Sequence, residues 1–465
     1  MTDVSQNKDQ ELVVLGLGRE GLSSYHYLRQ KYPAKYITLL DEKTLDHLSD
    51  EWKTIANEDH TIHFSTTVPE DLTKPLVFCS PGIPPKNALL AALQERGATI
   101  TSNTDSLLSE LSPLGSSVVT IGVTGTKGKS TTSALIYHLL KTAGKQVYYA
   151  GNVGVPPLDI LSKIQTELTE KPDAVQYVVL ELSSHQLLRV THSPTIAVIQ
   201  EIVPEHLDYY DTFEAYVAAK GTIALYQSPS DHVIYCTDFP TVSEIARKGP
   251  AQRHGYSLDL PQSNEVSTHI AEVLEKSETQ LLGQHNRYNT APSIIISTLF
   301  SIPENTLQKA LKTFTPLPHR LERVQTDNDA ILYINDSLAT TPEATCAAIA
   351  AFPDNRIILI AGGYDRSLDF HVLAKKIATS NIKALILFPP TGEKIIEILH
   401  RIAPTSPLLE TSYFKVETMS EAVQTAKKMA NRGDVVLLSP AAASFGRFTD
   451  YADRGNQFKQ LVQEN

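Results

Sequence analysis

The densest group of chemistry-bearing residues is Gly122-Val-Thr-Gly-Thr-Lys-Gly-Lys-Ser-Thr131. It follows an apolar run and precedes a helical pattern, the context a phosphate-binding loop requires. Gly125 and Gly128 allow tight turns that bring backbone N–H groups onto phosphate oxygens. Thr126, Lys127 and Thr131 complete the polar wall. Lys129 has the reach for the β- and γ-phosphates of a nucleoside triphosphate, and the Ser130 hydroxyl is a Mg²⁺ ligand type. The spacing departs from GxxxxGK[ST]: five residues separate Gly122 from Gly128. The competing reading is an ordinary glycine turn between strand and helix. The coincidence of strand, glycines, Lys, Ser and helix favours phosphate.

Two segments offer partners for such a loop. Glu181-Leu-Ser-Ser-His-Gln186 ends an apolar strand, where open α/β sheets gather ligands, and Glu181 is a candidate Mg²⁺ ligand. Pro204-Glu-His206-Leu-Asp208 follows another apolar strand, and His206 is a candidate second-metal ligand or orienting group. Lys220 lies on the helical stretch Thr212–Tyr226, where periodicity alone reads it as a solvated face residue.

Weaker signals flank these. Gly16-Leu17-Gly18-Arg19-Glu-Gly21 matches GxGxxG after the first apolar run, and Asp41-Glu42 follow about 20 residues later. The pattern alone favours a dinucleotide such as NAD and leaves a UDP group open. The last third carries Pro318-His-Arg320-Leu-Glu322, Asn335-Asp336-Ser-Leu338-Ala-Thr340, Gly362-Gly-Tyr-Asp-Arg366 and Ser439-Pro-Ala-Ala-Ala-Ser444-Phe-Gly-Arg447. Taken singly, each reads as a plain loop at least as readily as a ligand site.

The elements that must position these residues form three α/β units. Strands are expected at Glu11–Gly16, Ile37–Leu40 and Val77–Cys79. Others are expected at Val118–Val123, Val175–Glu181, Thr195–Ile199, Ile331–Ile334, Ile357–Ala361, Ala384–Phe388 and Val435–Leu438. Helices are expected at Ser130–Ala143, Thr212–Tyr226 and Asn289–Phe300. The polar stretch 260–280 reads as a loop or a small antiparallel sheet. Pro-containing breaks at Ser112–Ser117 and Thr315–Pro318 divide the chain into 1–113, 114–315 and 316–465. The last of these reads as a third doubly wound unit.

Bulk properties bound the alternatives. The 465 residues are 42% hydrophobic and 20% charged, with a net charge of -11, ordinary for a soluble protein and adverse to nucleic-acid binding. Cys79, Cys236 and Cys346 lie far apart, which disfavours a disulfide framework or a cysteine metal site. The polar start and the lack of an 18-residue apolar window give the expectation of a cytoplasmic chain without membrane insertion.

In order along the chain, these motifs resemble the Mur ligase family. The resemblance runs through the first glycine turn, Ser80-Pro81-Gly82-Ile83, Gly125–Thr131, Gly151-Asn152-Val-Gly154 and Glu181–Leu187. It continues through Pro204–Asp208, Ala218-Ala-Lys220, Gly283-Gln-His-Asn286, Pro318–Glu322, Ile334–Thr340 and Leu438–Phe445. It implies a Rossmann-like first domain, a central P-loop ATPase-like domain with a mostly parallel sheet, and a Rossmann-like last domain. It implies an ATP- and Mg²⁺-dependent ligase that adds D-glutamate to UDP-N-acetylmuramoyl-L-alanine through an acyl phosphate, working as a monomer; the alternatives are a variant that adds L-glutamate and a non-catalytic nucleotide-binding relative.

By position, Lys129 is implied on the γ-phosphate, Ser130 and Glu181 on one Mg²⁺, and His206 on a second metal. Lys220 matches a lysine that the family carbamylates, which reverses the solvated reading. Asn286, Arg320 and Asp336 match ATP contacts. Leu17, Gly18, Arg19, Asp41, Ser80, Pro81 and Gly82 match the UDP pocket, displacing the NAD reading, and Asn152 and Gln186 match contacts to the muramoyl nucleotide. Thr340, Arg366, Ser444 and Tyr451 match acceptor positions. The chain departs from the glutamate-adding pattern at Leu338 and Arg366, where lysines are usual, and at Tyr451, where phenylalanine is. Lys127 and His185 replace Asn and Phe.

Overall fold

The computed structural model describes residues 10–326 and 330–464. The strands build three sheets. The first contains β1 (Leu12–Leu15), β2 (Ile37–Leu40), β3 (Ile62–Ser65), β4 (Leu76–Cys79) and β5 (Thr99–Thr101) in the order β3-β2-β1-β4-β5, all parallel. The second contains β6 (Val118–Thr124), β7 (Gln146–Gly151), β8 (Gln176–Glu181), β9 (Ile196–Ile199), β10 (His232–Cys236) and β11 (Gln252–Tyr256). Its order is β11-β10-β9-β6-β8-β7, again all parallel. The third contains β12 (Glu322–Val324), β13 (Leu332–Asn335), β14 (Ile357–Gly362), β15 (Ile382–Phe388), β16 (Tyr413–Lys415) and β17 (Val435–Leu438). It runs β12-β13-β17-β14-β15-β16.

Central strands such as β1, β4, β8, β14 and β17 are buried along their whole length, because helices cover both faces of a parallel sheet. In each sheet the order reverses beside a central strand, and the loops at the carboxyl ends there form the natural ligand crevice. Those loops carry Gly16–Gly21 and Ser80–Gly82 in the first sheet and Gly125–Lys129 with Glu181 in the second. In the third they carry Asp336, Gly362–Arg366 and Ser439–Ser444.

The chain separates into two compact units: Met1–Ser277 with Tyr288–Leu311, and Glu278–Arg287 with Lys312–Asn465. Within the first unit one apolar core is continuous from Leu12, Leu28 and Phe78 around the first sheet to Ile164, Leu180 and Ile223 around the second. The expected break at Ser112–Ser117 is a pair of tight turns inside that unit, kinked at Gly115 (φ 57°).

Three expectations are corrected. Residues 265–276 form a helix, Glu265–Lys276. Asn264 caps it by accepting from Ser267 N, and Ser267, Ile270 and Val273 give it a narrow buried stripe that polar neighbours obscured. The third sheet is mixed: β12 runs antiparallel to β13 at the edge. Gly122 belongs to β6 and not to the loop that follows; a Cβ there would meet Pro194 at 2.7 Å and Leu182 at 3.1 Å.

Candidate active site

The loop is therefore Gly125 to Lys129, which explains its irregular spacing. Gly125 has φ +148°, and a Cβ on it would meet Gln200 Cβ at 2.7 Å. Gly128 has φ +82° at the N-cap of the helix Lys129–Thr142, and a Cβ on it would meet Asn289 Oδ1 at 2.2 Å. Both positions require glycine. The amides of Thr126 and Lys127 do not turn toward a ligand as expected: both donate to Glu201 O, at 2.6 and 3.3 Å. Anion-binding capacity therefore sits at the helix end, where first-turn N–H groups have no acceptor inside the helix. Thr126 Oγ1 donates to Val203 O (3.0 Å) and meets Tyr216 Oη (2.9 Å). Lys129 Nζ donates to Thr126 O at 3.1 Å. Ser130 is half-buried on the first turn, and the hydroxyl of buried Thr131 has no hydrogen-bond partner.

Glu181 ends β8 and is 1% exposed. Its Oε1 accepts from Asn152 Nδ2 at 2.9 Å, and its Oε2 is buried without a partner among the described residues. A bare carboxylate oxygen is costly to bury, so it marks a place where a cation adds stability.

Lys220 is the most telling residue. The helix Phe213–Leu225 is capped by Thr212 and buries Tyr216, Ala219, Lys220, Ile223 and Ala224, a single face at i, i+3, i+4, i+7 and i+8, so the lysine lies on the inward stripe and not on a solvated face. Lys220 is also 1% exposed. Its Nζ donates to Gly125 O at 2.8 Å and lies 4.8 Å from the Tyr216 ring centre. Burial, reinforced by the charge of Lys129 and opposed by Glu205 and Glu181, lowers it to about 6. At neutral pH it is an uncharged amine.

His206 is exposed, in the left-handed conformation (φ 55°), with Nε2 3.8 Å from Glu205. Its ring stands edge-on to His185 at 4.9 Å. His185 is lowered to about 4 by burial, then by His206 and Lys220. Lys129, Glu181, His206 and Lys220 thus surround one loop. Sequence reasoning passed over Glu205, Gln200 and Tyr216. Glu205 pairs with Lys127 at 3.8 Å, and Gln200 binds Thr132 Oγ1 at 2.7 Å. The signal available for Gln200 was its place directly after β9. Among the described residues no group of three or more His, Cys, Asp or Glu is arranged to hold a metal. The unpartnered oxygen of Glu181 nonetheless suits Mg²⁺, which binds few protein carboxylates and takes its remaining ligands from phosphate and water.

The residues expected to form a nucleotide pocket in the first unit also converge. Leu17 N donates to Asp41 Oδ2 at 2.7 Å, and Trp52 Nε1 donates to Leu17 O at 2.7 Å. Ser80 Oγ donates to Gly16 O at 2.5 Å, and Tyr209 Oη to Pro81 O at 3.2 Å. Gly18 and Gly82 have open space where a Cβ would be. Arg19, Pro81, Asn152, Ser183 and Gln186 line one cleft between the first two sheets.

In the second unit, Asp336 accepts from Leu321 N (3.1 Å) and from Ser439 Oγ (2.8 Å). Burial raises its carboxyl to about 7 against the pull of Arg320. Asn286 Nδ2 donates to Leu282 O at 2.6 Å. Arg366 and Tyr451 are exposed, Thr340 is half-buried and Ser444 is buried. Leu338 is half-buried, its N–H donating to His319 O at 3.0 Å.

Comparison with known proteins identifies the family. The Mur ligase middle domain matches residues 123–297, and the Mur ligase glutamate ligase domain matches residues 319–442. The UDP-N-acetylmuramoylalanine–D-glutamate ligase of Symbiobacterium thermophilum is 32% identical, covering 98% of each chain. The UDP-N-acetylmuramoyl-L-alanine–L-glutamate ligase of Xanthomonas oryzae pv. oryzae is 31% identical, covering 99% of this chain and 96% of that protein. The crystal structure of MurF ligase from Thermotoga maritima with ADP shares the fold at a TM-score of 0.55 and 15% identity, over 97% of this chain and 94% of that one. Near-full-length identity above 30%, with both domain matches, establishes that the chain belongs to the Mur ligase family of ATP-dependent ligases.

Proposed function

We propose that the chain joins D-glutamate to UDP-N-acetylmuramoyl-L-alanine, driven by ATP, in cytoplasmic peptidoglycan precursor synthesis. The observation that carries this reading is the buried, neutral Lys220 bonded to the phosphate loop beside the bare oxygen of Glu181. A substrate carboxylate oxygen attacks the γ-phosphorus and ADP leaves. The glutamate amine then attacks the acyl carbon, a proton is lost, and phosphate departs with one carboxylate oxygen.

Lys129 neutralises charge on the transferring phosphoryl group. Ser130 and Glu181 would hold Mg²⁺, which would supply further charge neutralisation. A neutral amine can attack CO₂, forming an N–C bond and releasing one proton. Lys220 would thereby become a carboxylate and join His206 around a second metal. Leu17, Gly18, Arg19, Asp41, Ser80–Gly82, Asn152 and Gln186 hold the nucleotide sugar. Asn286, Arg320 and Asp336 hold ATP, and Thr340, Arg366, Ser444 and Tyr451 hold glutamate. The three-way division at 113/114 and 315/316 follows these roles.

A second reading, addition of L-glutamate, is favoured by the L-glutamate ligase at 31% identity and by Leu338 and Arg366 on the acceptor side. Phosphate release is measured with ATP, the nucleotide and each glutamate enantiomer. Release with D-glutamate is expected, and release with L-glutamate alone transfers the assignment to the second reading.

A further inference from the structure

The cleft between the first two sheets contains a carboxyl group with no role so far. Glu20 lines it beside Arg19, Asn152 and Gln186. Its Oε1 accepts from Gln186 Nε2 at 2.7 Å. That amide is held in one orientation, because Gln186 Oε1 accepts from Ser183 N at 3.0 Å and from Ser183 Oγ at 3.2 Å. The main chain is fixed as well: Ser24 Oγ and Asn103 Nδ2 both donate to Glu20 O, at 2.8 and 3.3 Å. Glu20 Oε2 is buried and has no hydrogen-bond partner among the described residues. The side chain is thus held in place with half of its hydrogen-bonding capacity unspent.

The surrounding charges do not stabilise an anion there. Arg19 directs Nη1 to Gly154 O at 3.2 Å. Asp159, on the turn Pro157–Ile160, adds repulsion, and Asn152 in the cleft donates its Nδ2 to Glu181. On the helix Asn103–Leu111, Asp105 is engaged by His192 and Thr191, and Glu110 by Tyr27 and Lys31. His185, next to Gln186, is uncharged at neutral pH. Burial first, then Asp159, raises Glu20 to about 7 against the Gln186 hydrogen bond. An ionised carboxylate beside a diphosphate in a partly desolvated cleft is repelled, whereas a neutral carboxyl is a donor.

We propose that Glu20 meets the nucleotide sugar as a neutral carboxyl and donates its proton in a hydrogen bond to an anionic oxygen of that ligand, so that binding takes up a proton. The proposal rests on the assignment of this cleft to the nucleotide sugar. It makes Glu20 a binding residue that favours an anion only when protonated.

The test is calorimetry of UDP-N-acetylmuramoyl-L-alanine binding to the full chain, without ATP or glutamate, in two buffers of different ionisation enthalpy. The diphosphate and alanyl carboxylate stay ionised between pH 7 and 8.5, so they contribute no titration. At pH 8 the wild-type chain should take up close to one proton, and its affinity should fall roughly tenfold from pH 7 to 8.5. Glu20→Gln keeps an N–H donor at every pH; it should bind with no proton uptake and with a flat pH profile. Tight binding by the wild-type chain without proton uptake overturns the proposal alone. The same holds if Glu20→Gln keeps the wild-type pH dependence. Absence of binding at every pH overturns the assignment of the cleft as well.

Discussion

Lys220 and Arg454, one in each unit, are both about 1% exposed, yet their surroundings differ. Arg454 spends its guanidinium on three contacts: Nε to Ser337 Oγ at 2.9 Å, Nη1 to Ala442 O at 3.0 Å and Nη2 to Ser337 O at 2.8 Å. Burial lowers it only to about 10, so it stays charged and ties the loop after β13 to the loop after β17. Lys220 has one described hydrogen bond, to Gly125 O, and has lost its charge by pH 7. Satisfied buried polarity of the first kind fixes a scaffold. Unsatisfied polarity of the second kind, together with the bare oxygens of Glu181 and Glu20 in the same unit, marks where ligands complete the structure.

The largest expected effect separates the two cations by activity. Lys220→Ala should lower glutamate-dependent phosphate release by on the order of a hundredfold or more, with partial recovery on adding a short carboxylate. Full activity in that variant, or a loss that no carboxylate relieves, removes the proposed carbamate. The wild-type rate should also fall about tenfold per pH unit below about 6, as Lys220 takes up the proton that blocks attack on CO₂. A rate unchanged down to pH 5 breaks this link.

Stability separates them next, with opposite signs. Lys220 is lowered from 10.5 to about 6 on folding. Between those values the unfolded chain binds the extra proton, so stability rises with pH and the amine destabilises the fold throughout the neutral range. Lys220→Met should therefore raise Tm by roughly 3 °C while removing activity. Arg454→Met leaves the carbonyls of Ser337 and Ala442 bare and should lower Tm by roughly 5 °C or more. Thermal unfolding of the two variants side by side checks this; shifts of the same sign contradict the contrast.

The smallest effect concerns the acceptor side. Leu338→Lys should change the KM for glutamate about threefold to tenfold through one added charge, with the KM for ATP unchanged. An equal effect on both KM values would remove Leu338 from acceptor selection.

The sequence made the central strands legible, because β1, β8, β14 and β17 are uninterrupted apolar runs with ligand loops at their carboxyl ends. It hid β3, β5, β7, β10, β11, β12 and β16, all of which lie at a sheet edge or next to one, where burial is partial and the apolar run is broken. The helix Glu265–Lys276 was obscured by its polar surface. Lys129 and Glu181 stand out from local pattern alone. Lys220 shares the stripe of Tyr216 and Ile223, but a lysine there reads as solvated because its partner is a loop 95 residues away in the chain. Glu20 was overlooked because a glycine motif draws attention to its glycines, while its partner Gln186 lies 166 residues on.

The central claim is that this cluster drives amide formation through transfer of phosphate to the substrate carboxylate. It is tested most directly by placing ¹⁸O in the alanyl carboxylate of UDP-N-acetylmuramoyl-L-alanine and weighing the phosphate released during turnover with ATP and D-glutamate. One ¹⁸O atom in each phosphate, with the remaining label in the amide product, is the expected result. Amide product accompanied by unlabelled phosphate contradicts it.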